Sequence, residues 1–180
     1  MTIAVLLAAG FEEIEAVTPI DVLRRAGFTV ETLGFSEEVE GSHGIRLVAD
    51  KVWSGDLSAY EMVVLPGGLP GADHLRDDER LIQALQKAYE AGTYLAAICA
   101  APKVLGRAGL LKDKAYTCYP GVEDEIGQGN HQEDLVVQDG TIITAKGAGV
   151  SLAFAYKLVD VLGGDSQSLS QGMIYQDLFN

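Results

Sequence analysis

Tyr94-Leu95-Ala96-Ala97-Ile98-Cys99-Ala100-Ala101-Pro102 runs an apolar strand straight into the start of a helix. A continuous apolar run of this kind suits a strand buried on both faces of a parallel sheet. The strand-to-helix junction puts Cys99 at the carboxyl edge of that sheet, where ligands bind in open α/β folds. The helix that follows offers free N–H groups and the positive end of its dipole to the sulfur. A free thiol titrates near ~8.5, and helix N-termini lower it to between roughly 3.5 and 7.5. A thiolate nucleophile is therefore expected at Cys99. The ordinary alternative is a small, inert, buried cysteine in an alanine-rich core element.

The flanking segments repeat the pattern. Residues 3–8 and 62–65 are further buried strands, stopped by Gly10 and by Pro66-Gly67-Gly68. From Glu13, the apolar positions Ile14, Val17, Ile20, Val22 and Leu23 suit a helix ending at Arg24-Arg25-Ala26-Gly27, with Pro19 bending it or delaying its start. Residues 28–35 read as a strand, with a short one near 45–48 beyond the His43 loop. A helix over 79–91 places Leu81, Ile82, Leu85 and Ala88 on one face. The helix after Cys99 runs to about Arg107, and 115–118 form a further strand. Residues 135–138 and 141–144 flank Asp139-Gly140, a two-residue hairpin signal. Residues 150–162 make another helix, and 165–180 have room for one more. Strands alternating with helices define an α/β class. The expected architecture is a flavodoxin-like, doubly wound, mostly parallel sheet with helices on both faces, as a single domain over 1–180.

Composition narrows the partners. The chain has 180 residues, enough for one well-buried domain. Its net charge of −13, from 13 basic and 26 acidic residues, repels nucleic acid and anionic membranes. No apolar run is long enough to span a bilayer. The apolar start has no basic flank and reads as a strand, not a signal peptide. Two cysteines, Cys99 and Cys118, argue against a disulfide scaffold and for a reduced, cytoplasmic setting. His43, His74 and His131 show no metal-ligand spacing, nor do the cysteines, so no metal site is expected.

Three features converge on one sheet edge: the loop after the first strand (Gly10 to Glu15), Pro66-Gly67-Gly68, and Cys99. Glu12, Glu13 and Glu15 surround a helix N-terminus, where the dipole alone favours acidic residues. One of them could reach the Cys99 sulfur in protonated form, its pKa raised by burial and by the thiolate, and so act as general acid–base. The residues alone do not choose among the three. Backbone amides of Gly67 and Gly68 could hold an oxyanion formed at a carbonyl, although Pro-Gly-Gly is also common turn punctuation.

Gly10-Phe11-Glu12-Glu13-Ile14-Glu15, Val63-Val64-Leu65-Pro66-Gly67-Gly68, Ala97-Ile98-Cys99-Ala100-Ala101-Pro102 and Lys146-Gly147-Ala148-Gly149 together resemble the ThiJ/PfpI superfamily. The resemblance is to the branch of the parkinsonism-associated protein DJ-one and its bacterial relatives. It implies a flavodoxin-like fold and a homodimer, with Arg24, Arg25 and the His43 loop near the interface. It implies a reactive nucleophile at Cys99, a partner glutamate at Glu15, and site amides at Gly67, Gly68 and Ala100. Gly10, Cys118 and Tyr119 would line the site. Two departures restrict the chemistry. Ala100 stands where peptidase-like members carry a histidine, which disfavours a peptidase. Tyr119 stands before Pro120 where many branch members carry a histidine, and a tyrosine is no base near neutral pH. Cys118 is a resolving thiol for Cys99, a second redox site or, more ordinarily, a half-buried structural cysteine.

The activity this resemblance implies is cofactor-free chemistry on a small carbonyl substrate, converting methylglyoxal to lactate, or the related deglycase reaction. The alternative is an oxidative-stress sensor or protective chaperone working through oxidation of the same cysteine. A holdase would retain its activity without Cys99.

Overall fold

The computed structural model describes residues 1–179. Its strands are β1 (Thr2–Leu7), β2 (Thr29–Gly34), β3 (Glu38–Glu40), β4 (Arg46–Val48), β5 (Lys51–Val52) and β6 (Met62–Leu65). They continue with β7 (Tyr94–Ile98), β8 (Ala115–Tyr116), β9 (Asn130–His131), β10 (Val136–Asp139) and β11 (Ile142–Ala145). The helices are α1 (Glu13–Arg25), α2 (Gly71–Asp77), α3 (Glu79–Glu90), α4 (Pro102–Arg107), α5 (Val122–Ile126), α6 (Ser151–Val161) and α7 (Ser166–Gly172).

Seven strands form one sheet in the order β10-β11-β7-β6-β1-β2-β5. All neighbours are parallel except the edge pair β10–β11, the hairpin turned by Asp139-Gly140. The five central parallel strands follow the flavodoxin-like winding, which reverses direction at β1–β6 and leaves a crevice beyond the strand ends there. Because the sheet is covered on both faces, every residue of β6 is buried, and β1 is buried from Ile3 onward. One face packs Val22 and Leu23 of α1 against the sheet together with Phe154 and Leu158 of α6. The other packs Leu81 and Leu85 of α3 with Val104 of α4.

Three sequence expectations needed correction. The strand expected over 115–118 shrinks to β8, which leaves the main sheet and pairs with β9. Helix α4 begins at Pro102, three residues beyond Cys99, so the sulfur meets a turn before it meets a helix. Helices α2 and α5 were not anticipated; both are single short elements beside turn-rich sequence, too brief to show a periodic face. Pro19 sits inside α1, as allowed.

Candidate active site

Three loops meet at the carboxyl ends of β1, β6 and β7. Glu12 N–H donates to the Gly67 carbonyl at 2.9 Å, and Gly71 N–H donates to the Gly10 carbonyl at 3.2 Å, which ties the first loop to the second. Glycine is required where these backbones touch. Gly68 has φ 86°, and a Cβ there would sit 2.3 Å from Glu12 N. Gly10 has φ 87°, and a Cβ would press on Pro70 at 2.5 Å.

Cys99 follows β7 with φ 63°, a left-handed conformation that is uncommon for a non-glycine residue. Two hydrogen bonds hold it there: its N–H to the Ala145 carbonyl at 2.9 Å, and its carbonyl from Tyr119 N–H at 2.9 Å. Strain of this kind persists only where neighbours over-determine it, and it concentrates at functional sites. The turn directs the sulfur toward Glu15 and toward the N–H groups of Gly68 and Ala100.

The three glutamates separate cleanly. Glu13 is buried but faces away, its carboxylate accepting from the N–H of His43 at 2.7 Å and of Ile45 at 3.3 Å. Burial alone would raise its pKa; hydrogen bonds from its own N–H and from the His43 loop hold it below the usual range. Glu12 is at the rim, accepting from the Ser42 hydroxyl at 3.3 Å. Glu15 is fully buried and is the one that meets Cys99. Its Oε2 accepts the Gly67 N–H at 2.9 Å. Oε1 is buried without a well-aligned partner, leaving the adjacent thiol as its neighbour of consequence.

This pocket changes the expected protonation. Burial raises Glu15 to about 7. Burial, then the negative charge and hydrogen bond of Glu15, push Cys99 up to about 12. Both groups compete for a single negative charge, with Glu15 fully buried and Cys99 partly so. The pair therefore tolerates one negative charge between its members and shares the remaining proton between oxygen and sulfur. The freely ionised thiolate expected from a helix dipole is replaced by a thiol–carboxyl pair carrying one proton. The Gly67 amide also drops out as an oxyanion donor, because it is committed to Glu15. Gly67 matters sterically instead: a Cβ there would lie 2.6 Å from Glu15 Oε2 and 2.8 Å from Cys99 Cβ. Gly67→Ala is expected to cost about 1–3 kcal/mol of stability and to separate the pair, read as a lower Tm together with lost Cys99 reactivity.

Tyr119 reaches Cys99 through its backbone, while its side chain is half exposed in a cleft of about 370 Å³ with Pro120, Leu135, Lys146 and the Gly147–Val150 turn. Cys118 is buried, and its sulfur faces Glu123 at 3.7 Å, not Cys99. Burial and the Glu123 charge push that thiol up to about 12, which suits neither a resolving thiol nor a second reactive one. Among the described residues, no helix is long and apolar enough to cross a membrane.

The DJ-1/PfpI family model matches residues 1–161, a stretch that takes in all three site loops. The chain belongs to the DJ-1/PfpI family. Protein DJ-1 homolog B of Arabidopsis thaliana is 40% identical over 171 residues, covering 93% of this chain and 39% of that protein. The chain thus spans well under half of that relative's length. Glutathione-independent glyoxalase DJR-1.2 of Caenorhabditis elegans is 33% identical over 163 residues, covering 88% of this chain and 87% of the relative. A crystal structure of a DJ-1 superfamily protein from Salmonella typhimurium superposes with a TM-score of 0.89 at 36% identity, covering 97% of this chain and 96% of that one. The DJ-1/PfpI fold of this chain therefore agrees with the flavodoxin-like architecture read from the sequence.

Proposed function

We propose that this chain is a cofactor-free cysteine enzyme acting on small reactive carbonyl compounds, of the glutathione-independent glyoxalase or deglycase type. The observation that carries the reading is the buried Glu15 carboxyl against the Cys99 thiol, poised to exchange a proton near neutral pH. The likeness to the Caenorhabditis elegans glyoxalase supports the substrate class.

With methylglyoxal the chemistry balances without a cofactor. As the Cys99 sulfur forms a bond to the aldehyde carbon, Glu15 takes the thiol proton and returns it to the aldehyde oxygen, giving a hemithioacetal. The N–H groups of Gly68 and Ala100, beside the sulfur, are positioned to stabilise that oxygen while it is charged. Glu15 then removes the hydrogen on the former aldehyde carbon and delivers a proton to the neighbouring carbon, while the hydroxyl proton passes from the first oxygen to the former ketone oxygen through the enediol. The aldehyde carbon is oxidised and the ketone carbon reduced, leaving a lactoyl thioester. Water cleaves the thioester to lactate and restores the thiol. A deglycase reaction would share the first addition. The test is saturable lactate formation without glutathione; turnover no faster than a simple free thiol sinks the reading.

One observation favours a second use of the same pair. A Glu15 that is half protonated near 7 can donate a hydrogen bond to an oxidised sulfur. Two equivalents of peroxide would take Cys99 through the sulfenic to the sulfinic acid, held there by that bond. Mass spectrometry after mild peroxide is expected to find two added oxygens on Cys99 and none on buried Cys118. Equal oxidation of both removes the sensor reading.

The resemblance also leads us to propose a homodimer through α1 and the β3–β4 hairpin, where Ile14, Val17, Ile45 and Val48 are exposed. A monomer in sedimentation velocity would discard that part.

A further inference from the structure

The turn after β8, helix α5 and strand β9 bring Cys118, Glu123 and His131 together, with one donor atom of each within 4.8 Å of the others. These three were not grouped from the sequence, because five and then eight positions separate them and no ligand spacing repeats. The fold closes the gap: β8 and β9 pair in parallel with Tyr116 opposite His131.

Each side chain is held in place. The backbone before Cys118 is anchored by Thr117 N–H to Thr144 Oγ1 at 2.9 Å. Gly121 N–H donates to Glu123 Oε2 at 2.7 Å and orients the carboxylate. The His131 ring packs on Tyr116 with centroids 5.6 Å apart. The Cys118 sulfur lies 3.7 Å from Glu123 Oε2, which gives those two atoms a partner each. His131 Nε2 is buried and has none. A buried imidazole nitrogen without a partner calls for an explanation, and a hydrogen bond between the other two residues does not supply one.

We propose that Cys118, Glu123 and His131 form a binding site for a zinc-class divalent cation, separate from the Cys99–Glu15 pair. Thiolate, imidazole and carboxylate are the donor set of a borderline-soft metal and not of magnesium or calcium. Zinc–ligand bonds of about 2.0–2.3 Å in a tetrahedron place sulfur and oxygen donors about 3.5 Å apart, close to the 3.7 Å between Cys118 and Glu123. One thiolate and one carboxylate neutralise the dication, which suits a site whose sulfur is buried. On binding, the sulfur–metal bond replaces the Cys118 S–H bond and the proton passes to solvent. Three protein ligands leave the fourth position to water.

The test uses the whole chain, stripped with a chelator, titrated with cobalt(II) and then with zinc(II) in competition. One equivalent of cobalt is expected to produce thiolate-to-metal charge-transfer absorption, which zinc then bleaches and magnesium does not. Cys118→Ser should abolish the band. Glu123→Gln and His131→Gln should each weaken zinc binding by at least the roughly 10–100-fold that losing an outer hydrogen-bond partner costs. Cys99→Ser should bind as the wild type does. Because Cys118 is fully buried, circular dichroism must show that its variant folds. If it does not, the glutamine variants carry the test, and unchanged affinity in both overturns the site. A wild-type cobalt complex without the thiolate band overturns it as well. So does a band that disappears with Cys99→Ser and persists in Cys118→Ser.

Discussion

Cys99→Ser is expected to lower lactate formation from methylglyoxal by at least about 1,000-fold, to the background of the uncatalysed reaction. The reason is chemical, since the substitution exchanges sulfur for oxygen at a site of nearly unchanged shape. A serine hydroxyl is a far weaker nucleophile, and a carboxyl that titrates at about 7 is too weak a base to activate it. The hydrogen bonds that impose φ 63° at Cys99 come from backbone groups, so the variant should fold and melt like the wild type. Lactate measured by chromatography in both proteins, without glutathione, checks this. A variant within tenfold of the wild type would place the chemistry elsewhere.

Glu15→Gln should lower turnover by roughly 10²–10⁴-fold, the usual contribution of a positioned acid–base group. It should also remove the feature that identifies Glu15 as that group. In the wild type, kcat/KM is expected to rise with pH through about 7 as the pair loses its first proton. In the glutamine variant that limb should vanish. Stability supplies an independent readout with the opposite sign. The folded-state pKa of Glu15 is raised from 4.5 to about 7, so its protonated form favours folding. That contribution is full below the unfolded pKa and is lost as pH rises through the folded one. Above pH ~7 the neutral amide should make the variant more stable, by up to about 3 kcal/mol. Below pH ~4.5 the two proteins should converge. Denaturant melts at the two pH values test this. A variant that is less active and also less stable at high pH would make Glu15 a packing residue.

Much of this was readable along the chain because it depends on local periodicity. The apolar runs that became β1, β6 and β7, the hairpin at Asp139-Gly140, and the helix over α3 are each written in a single window. So is the placement of Cys99 at a sheet edge. The short elements α2, α5 and β9 were not readable, because five to seven residues or fewer carry too little pattern to stand out from turns. Cys118 shows the same limit differently. It lies just beyond β8, not within the strand expected over 115–118, and its carboxylate and imidazole neighbours arrive from α5 and β9.

What the sequence by itself determined is the alternation of strands and helices and the edge location of Cys99, since both follow from neighbours in the chain. The residues alone left open which glutamate meets the sulfur; the resemblance implied Glu15, and the tertiary structure supplies the physical reason. Glu12, Glu13 and Glu15 lie within one helical turn, and the residue-by-residue rotation of α1, with the Gly67 turn and the His43 loop packed around it, sends each to a different neighbour. The upward shift of both groups has the same origin, because burial side by side disfavours a second negative charge, and that burial is made by elements distant in sequence.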